Sequence, residues 1–246
     1  MSEPGSLIRS LAGRQTARNF HSYVITEIGE GIVSGKYPIG TVLPNDAEMM
    51  AQFDVSRTVL REALKTLESK GLVEARPKVG TKVSSRNRWN HFDPMVLAWF
   101  YAAGPDEKML RQLHDVRFAL EPLAARQVAL TRTADDLRLI NYWIRQMENS
   151  TASLLNFAIA DYELHVIIAD ASKNNFMRSL ISVVELSHTC AFGQIDKMGG
   201  EVPAEFLTAH QELAKALADQ NAEAAQKLMT KTIKLDLKYA SHHEQK

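Results

Sequence analysis

The sequence predicts a mainly α fold in two parts: a small helical module closed by a β-hairpin, then a larger antiparallel bundle of helices alone. Three observations predict it. Apolar residues recur at three- and four-residue steps along most of the chain, the spacing that gathers them on one face of a helix. Strand-like runs are confined to LVEAR and TKVSS, either side of Pro77-Lys78-Val79-Gly80, and no alternation of period two follows residue 106. Charge is divided as well: residues 1–90 hold 13 Lys/Arg against 9 Asp/Glu, residues 91–246 hold 16 against 20, and residues 56–88 hold 9 against 3. A chain with zero formal net charge is therefore a basic module joined to an acidic one, which suits a module that meets a polyanion.

Length and composition set the outer bounds. The 246 residues suffice for one large or two small domains, and 45% hydrophobic content supports a packed core. The one cysteine, Cys190, excludes an internal disulfide, fits a reducing compartment and sits in an apolar helical context that favours packing over reactivity. There is no N-terminal apolar leader, and the longest apolar run, Met95–Gly104, is too short to span a bilayer. The expectation is a soluble, cytoplasmic protein without a membrane partner.

Residues 1–17 are polar and weakly patterned, so the chain opens on a loose arm. The first module is expected over 18–84. Its first helix runs from Arg18 to Ser34, carrying Phe20, Val24, Ile25, Ile28 and Ile32 inward, and Gly35 ends it. In the crossing KYPIGTVLP that follows, Ile39, Val42 and Leu43 are the expected core contacts. Asn45 or Asp46 caps a second helix through Phe53, with Ala47, Met50 and Phe53 facing in. A turn of two residues, Asp54–Val55, leads to VSRTVLREALKTLESKG, where Val55, Val59, Leu60, Ala63, Leu64 and Leu67 form an apolar stripe. Ser56 stands at the N-cap and Gly71 at the C′ position.

Two helices joined by a tight turn and followed by a basic hairpin make a winged helix-turn-helix. The third helix taken alone fits a solvated surface helix as well as a DNA reader; its neighbours decide for DNA. Ser56, Arg57, Thr58 and Arg61 place hydroxyl and guanidinium donors on its first turns, suited to phosphates and guanine edges. Lys78, Gly80 and Lys82 would carry the hairpin along a groove. Residues 85–104 read as a linker and connector helix. Asp93 caps that helix, Pro94 is at N1, Gly104 stops it, and the apolar Trp89, Met95, Leu97, Trp99 and Phe100 would dock the two domains together. Residues 105–241 read as helices near 106–130, 133–149, 152–171, 175–189, 203–219 and 221–240. His242 and His243 fall in a frayed tail.

In the bundle, Asp161 and His165 stand four apart and so share a helix face, and His210 sits on a face with Phe206, Leu213 and Leu217. Such a trio binds a divalent cation if a third helix brings His210 to the pair; otherwise Asp161 and His165 are an ordinary hydrogen-bonded pair. Arg117 faces inward and needs an anionic partner, either a bound carboxylate or Glu121 one turn on. Asn141, Arg145 and His188 are further candidates to line a ligand cavity. The SGK at 34–36 is no phosphate loop, since Glu30 and Tyr37 occupy the positions that need glycine and Ser/Thr.

The run SGKYPIGTVLP…AEMMAQFDVSRTVLREALKTLESKGLVEARPKVGTKV resembles the N-terminal domain of the GntR family of bacterial transcription regulators, across residues 18–84. One departure is Ala47, where members often carry a DNA-contacting arginine. DVRFALEPLAARQVA, DYELHVIIADASKN and AHQELAKALADQNAEAA resemble the FCD effector-binding domain of the FadR subfamily, over residues 106–240. That resemblance implies a metal, zinc by expectation, held by Asp161, His165 and His210. Its fourth ligand should fall 22 residues after His210, where this chain has Thr232. It also implies a homodimer on a palindromic operator and a small carboxylate effector. The run RNRWNHFDPMVLAWF is similar to regulators of sugar-acid catabolism of the galactonate type, which points to a hexonate and a repressor. Two other readings compete: a metal-dependent hydrolase working through Asp161, His165 and His210, and an architectural DNA-binding protein that senses nothing.

Overall fold

Among residues 6–9 and 20–241, which the computed structural model describes, the chain forms twelve helices and one two-stranded sheet. They group into two units, residues 15–104 and residues 1–14 with 105–246. The first residues of the expected arm, residues 10–19, and the His242-His243 tail lie outside the described residues. Helix α1 (Ser6–Arg9) belongs to the second unit.

The first unit comprises α2 (Phe20–Val33), α3 (Asp46–Phe53), α4 (Arg57–Ser69), β1 (Val73–Arg76), β2 (Gly80–Val83) and α5 (Pro94–Ala102). Asn45 starts α3 with a capping box: its side chain accepts from Glu48 N at 3.0 Å, and its own N donates to Glu48 Oε2 at 3.1 Å. Asp54, at φ 51°, turns the chain into α4. The Ser56 hydroxyl accepts from Val59 N at 3.4 Å. Leu60, Ala63 and Leu67 of α4 then pack in one cluster with Val24, Ile25, Ile28 and Ile32 of α2 and with Phe53. The capping box also sets the phase of α3, so Met49 is buried and Ala47, expected inside, is exposed. Ile39 and Val42 differ from expectation too, at 47% and 46% exposure. The stretch around Val42 pairs with β2, through Leu43 N to Thr81 O at 2.8 Å and Val83 N to Thr41 O at 2.9 Å. Extended backbone alternates faces, so Leu43 turns in and Val42 out.

Residues 85–104, expected as a linker and inter-domain connector, are part of this unit's core. Trp89, Val96 and Trp99 are buried in the same cluster as α2 and α4. Asp93 accepts from Met95 N at 2.9 Å and Val96 N at 3.3 Å, with Pro94 at N1 as expected. Trp99 is received by Gly29 of α2, where an added Cβ would sit 2.6 Å from the indole ring. Gly71 makes a second close approach, at φ +78°, where a Cβ would be 2.0 Å from the Arg88 carbonyl oxygen.

The second unit packs α1 with α6 (Glu107–Thr131), α7 (Ala134–Glu148), α8 (Leu154–Ala171), α9 (Asn175–Ser179), α10 (Ile181–Lys197), α11 (Ala204–Ala218) and α12 (Ala222–Ala240). Side chains of Asp106, Thr133, Ser153, Asn174 and Asn221 cap five of these starts. The helix expected at 175–189 is two: the backbone breaks at Leu180, and α10 runs on to Lys197 because Phe192 and Ile195 continue its buried face. Helices α11 and α12 run antiparallel, with Lys238 and Tyr239 on Glu205 and Lys231 on Glu212. Arg132 closes the end of α11, donating to Leu217 O at 2.9 Å and Ala218 O at 2.6 Å.

Residues 6–9 of the expected loose arm are packed. Ile8 is buried in the bundle core, and the backbone N–H groups of Leu7 and Ile8 donate to Glu185 Oε1 of α10 at 2.6 and 3.3 Å. A carboxylate buried on α10 thus meets donors at the start of α1. Buried His114 of α6 is neutral by construction: its Nδ1 faces Leu110 O at 2.8 Å and its Nε2 faces the Ser187 hydroxyl at 3.0 Å. Burial first, and the nearby Arg117 charge second, push its pKa down to about 4.

Gly71→Ala is expected to cost more than about 2 kcal/mol, combining the left-handed backbone with the clash on Arg88. Thermal unfolding followed by tryptophan fluorescence measures it, and an unchanged Tm refutes it. The pH expectation follows from His114, whose folded pKa of about 4 lies below the ordinary 6.5. The unfolded chain takes the proton first, so His114 contributes fully above pH 6.5 and its contribution fades as pH falls toward 4, by about 3 kcal/mol in all. Urea unfolding of wild type and His114→Gln across that window should show the smaller acid loss in the variant.

Candidate functional site

Two sites emerge, one in each unit. In the first, α4 presents Arg57, Thr58 and Arg61 to solvent, all exposed. They line one wall of a groove of about 800 Å³ whose other wall is the hairpin, through Ala75, Arg76, Pro77, Gly80 and Thr81. Ser56 lies at the head of the same helix, its hydroxyl oxygen accepting from Val59 N at the cap while the O–H remains a donor. Neighbouring bases are engaged elsewhere: Lys65 by Glu62 at 2.8 Å, and Arg76 and Arg88 both by Glu74, at 2.7 and 2.5 Å. Among the described residues, no ion pair holds Arg57 or Arg61, so both guanidinium groups are available to an anion.

The hairpin is closed by Val79 N donating to Arg76 O at 3.1 Å, with Lys78 at φ 63° and Gly80 at φ 114°. Lys78 is exposed at its tip. Lys82 is half-buried opposite Glu74, on the other face of the ladder from Ala75 and Thr81, so the structure does not bring it to the Arg57–Arg61 groove. Exposed Ala47 near the start of α3 leaves the surface there without a basic side chain.

In the second unit, three helices aim four polar side chains at one point. Asp161 and His165 come from α8, His188 from α10 and His210 from α11, and all four are buried. Around Asp161 Oδ1 stand His210 Nε2 at 3.0 Å, His188 Nε2 at 3.2 Å and His165 Nε2 at 3.6 Å. The outer nitrogens are fixed. His210 Nδ1 faces Phe206 O at 2.7 Å, His188 Nδ1 faces Val184 O at 2.9 Å, and His165 Nδ1 is bound to Glu121. With each Nδ1 donating outward, each Nε2 lone pair points inward, and no described group hydrogen-bonds these three nitrogens or either Asp161 oxygen.

Buried polar atoms left without partners are costly unless an ion completes them. The donor atoms of Asp161, His165 and His210 all lie within 4.8 Å of one another, as the ligands of one divalent cation with bonds of about 2.1 Å do, and His188 flanks them across Asp161 Oδ1. The carboxylates and imidazoles of the cluster also act on one another's charge. Burial resists charge on Asp161, yet the charges of His210 and His188 outweigh it and hold its carboxyl well below the usual range. Burial lowers His165 more than the Glu121 charge restores. For His188 and His210 the neighbouring carboxylates win over burial and raise the pKa.

His188 therefore corrects the expected arrangement. The sequence places it in a ligand cavity, and it turns a third inward nitrogen to Asp161 instead. Thr232 is not at the cluster; its hydroxyl donates to Met229 O at 2.8 Å. The 22-residue interval expected after His210 instead separates His188 from His210. Asn141 and Arg145 are exposed on α7, whose inward face is Ile140, Ile144 and Met147, so the structure does not bring them to the site. Arg117 is buried as expected, and its partners are Glu121 at 2.5 Å, Asp236 at 2.5 Å and Ser187 at 2.8 Å. Sequence reasoning missed Asp236 and the role of Glu121 toward His165. The i, i+4 step from Arg117 signals the Arg117–Glu121 pair, but nothing local signals a link from Glu121 across to α8.

The family model for bacterial regulatory proteins of the gntR family matches residues 21–83, and that for the FCD domain matches residues 112–235. The uncharacterized HTH-type transcriptional regulator YieP of Escherichia coli (strain K12) is 31% identical over 207 residues, which is 83% of this chain and 88% of that protein. The galactonate operon transcriptional repressor of the same strain is 29% identical over 204 residues, 82% of this chain and 89% of that protein. The solved structure of Lar, which controls expression of the Listeria monocytogenes agr system, is 17% identical with a TM-score of 0.66, covering 94% of this chain and 100% of that one; it supports the fold alone. No helix among the described residues is long and apolar enough to cross a membrane. Both domain models and both relatives are regulators, which sets aside the hydrolase reading. The chain belongs to the GntR family of bacterial transcription regulators, in the FadR-like subfamily that joins a gntR-type winged helix to an FCD domain, and it is a DNA-binding regulator, not an enzyme.

Proposed function

We propose that this regulator is a homodimeric repressor of a catabolic operon, released from a palindromic operator by a small carboxylate bound beside a metal in the helical unit. The observation that carries the reading is the joining, in one chain, of two unpaired arginines on α4 with a buried cluster of three Nε2 atoms and one carboxylate. In a dimer, two copies of α4 would enter successive major grooves. Ser56 and Thr58 would meet the backbone, Arg57 and Arg61 guanine edges or phosphates, and Lys78 and Gly80 the flanking groove. A buried cluster of this kind is superfluous for an architectural protein, which favours sensing.

Asp161, His165, His188 and His210 would hold the metal, and three nitrogens with one oxygen suit zinc. When bound, the ion supplies positive charge and coordination positions for an effector carboxylate. The galactonate operon repressor among the relatives supports a sugar acid of hexonate size. Arg117, Glu121 and His165 border a cavity of about 30 Å³, otherwise lined by apolar groups that include Met177, Leu180 and Ile181. That space suits one water. A sugar acid therefore requires the wall at the α9–α10 break to open. Effector binding moves the DNA equilibrium only as far as it prefers one conformation over the other.

Arg57→Ala and Arg61→Ala are each expected to weaken specific DNA binding by about 1–3 kcal/mol. Gel shifts on duplexes selected from a random pool measure this, and an affinity untouched by both substitutions removes α4 from the groove. Stripping the metal with a chelator should lower the Tm. Zinc at about 100 times its Kd should restore roughly 2.7 kcal/mol of stability in the wild type and none in Asp161→Ala. A thermal-shift screen of sugar acids, run with and without chelator, tests the effector class.

A further inference from the structure

The three histidines of the cluster are not held alike. His188 and His210 donate from Nδ1 to carbonyls one turn back in their own helices, Val184 and Phe206, so the helix itself fixes those rings. His165 depends on a side chain from another helix. Its Nδ1 meets Glu121 Oε2 of α6, 44 residues away in sequence. Glu121 is in turn divided between two partners, since its Oε1 accepts from Arg117 Nε at 2.5 Å. Arg117 is braced from the far side, donating from Nη1 to Asp236 Oδ2 at 2.5 Å and to the Ser187 hydroxyl at 2.8 Å. Buried charges thus alternate along one line: Asp236, Arg117, Glu121, then the imidazole of His165.

We propose that Glu121 is the positioning residue of the metal cluster, acting through His165, with Arg117 and Asp236 as its supports. The inference rests on the reading that the cluster takes a metal ion. A carboxylate acceptor at Nδ1 fixes the tautomer that leaves the Nε2 lone pair facing Asp161, and it makes the ring a stronger donor. Without it, His165 has no backbone carbonyl in the role that Val184 and Phe206 play for the other two. Arg117 then serves the metal indirectly. Its Nε holds Glu121 Oε1, which leaves Oε2 aimed at α8. The arginine assigned from sequence to an effector carboxylate already has two carboxylate partners, and its buried Nη2 is the guanidinium nitrogen left without one among the described residues.

The test is zinc affinity of the full chain, measured by competition with a chromogenic chelator for wild type, Glu121→Gln, His165→Asn and the double variant. Glu121→Gln is expected to weaken zinc about 10–100-fold with an unchanged circular dichroism spectrum. In the His165→Asn background the same substitution should add less than about twofold, because Glu121 acts through that ring. Wild-type-like affinity in Glu121→Gln overturns the proposal, as does an equal loss in both backgrounds, which marks a general packing defect. A wild type that takes up no zinc overturns the metal reading and this inference with it, whereas zinc binding in the wild type with an inert Glu121→Gln overturns the inference alone. If Glu121→Gln leaves Arg117 too poorly compensated to fold, the Arg117→Met/Glu121→Gln pair removes both charges, and the same loss of zinc affinity is expected of it.

Discussion

A charge inside a bundle of helices has to be matched within a few ångströms, and the second unit is arranged around that requirement. Seven ionisable groups, from Asp236 to His210, are brought together from α6, α8, α10, α11 and α12. Each helix contributes apolar residues to the common core and one or two polar ones to this line. Removing a single member strands its neighbour in a low dielectric, which is far costlier than losing a surface pair. The polar line therefore specifies the register of the helices as firmly as the apolar packing does. A slip of α10 by one residue would carry His188 off Asp161 and Ser187 off both Arg117 and His114.

The first unit solves a different problem, that of holding a short helix rigidly enough to read another molecule. Its core is small, and two close approaches give it stiffness: Trp99 on Gly29 and the Arg88 carbonyl on Gly71. Both draw the segment after the hairpin back onto α2 and α4. The donors on the outer face of α4 are thus displayed on a scaffold locked from behind. Their chemistry is left to contacts that the protein itself does not satisfy.

How far the sequence alone revealed this follows the range of the interactions. Helical periodicity and caps are local, and Ser56, Asp93 and Gly71 signalled their elements from a few neighbours. The face of α4 was readable for the same reason. The Asp161–His165 pair was visible because one helix turn links them. His188 was misassigned because its role depends on α10 lying beside α8, which no local pattern encodes. Asn141 and Arg145 failed similarly: their polarity fitted a ligand site, while the phase of Ile140, Ile144 and Met147 turned them to solvent. Trp89 and Trp99 were recognised as packing residues, but a sequence does not say which core an apolar helix will join. Gly29 held the answer, though a glycine within a helix announces a close approach without naming the partner.

Helix α1 gives the chain an unusual topology. Ile8 and the Glu185 cap fasten residues 6–9 to the bundle, and ten residues later the chain enters α2 of the winged helix. It leaves again through α5 and, after four residues, becomes α6 of the bundle. The DNA-reading unit is accordingly an insertion in the bundle's own chain, closed at both ends like a loop. A nick in one connection would leave the other holding the two parts at high effective concentration. Loss of the first few residues, easily dismissed as a tail, would turn that loop into a pendant.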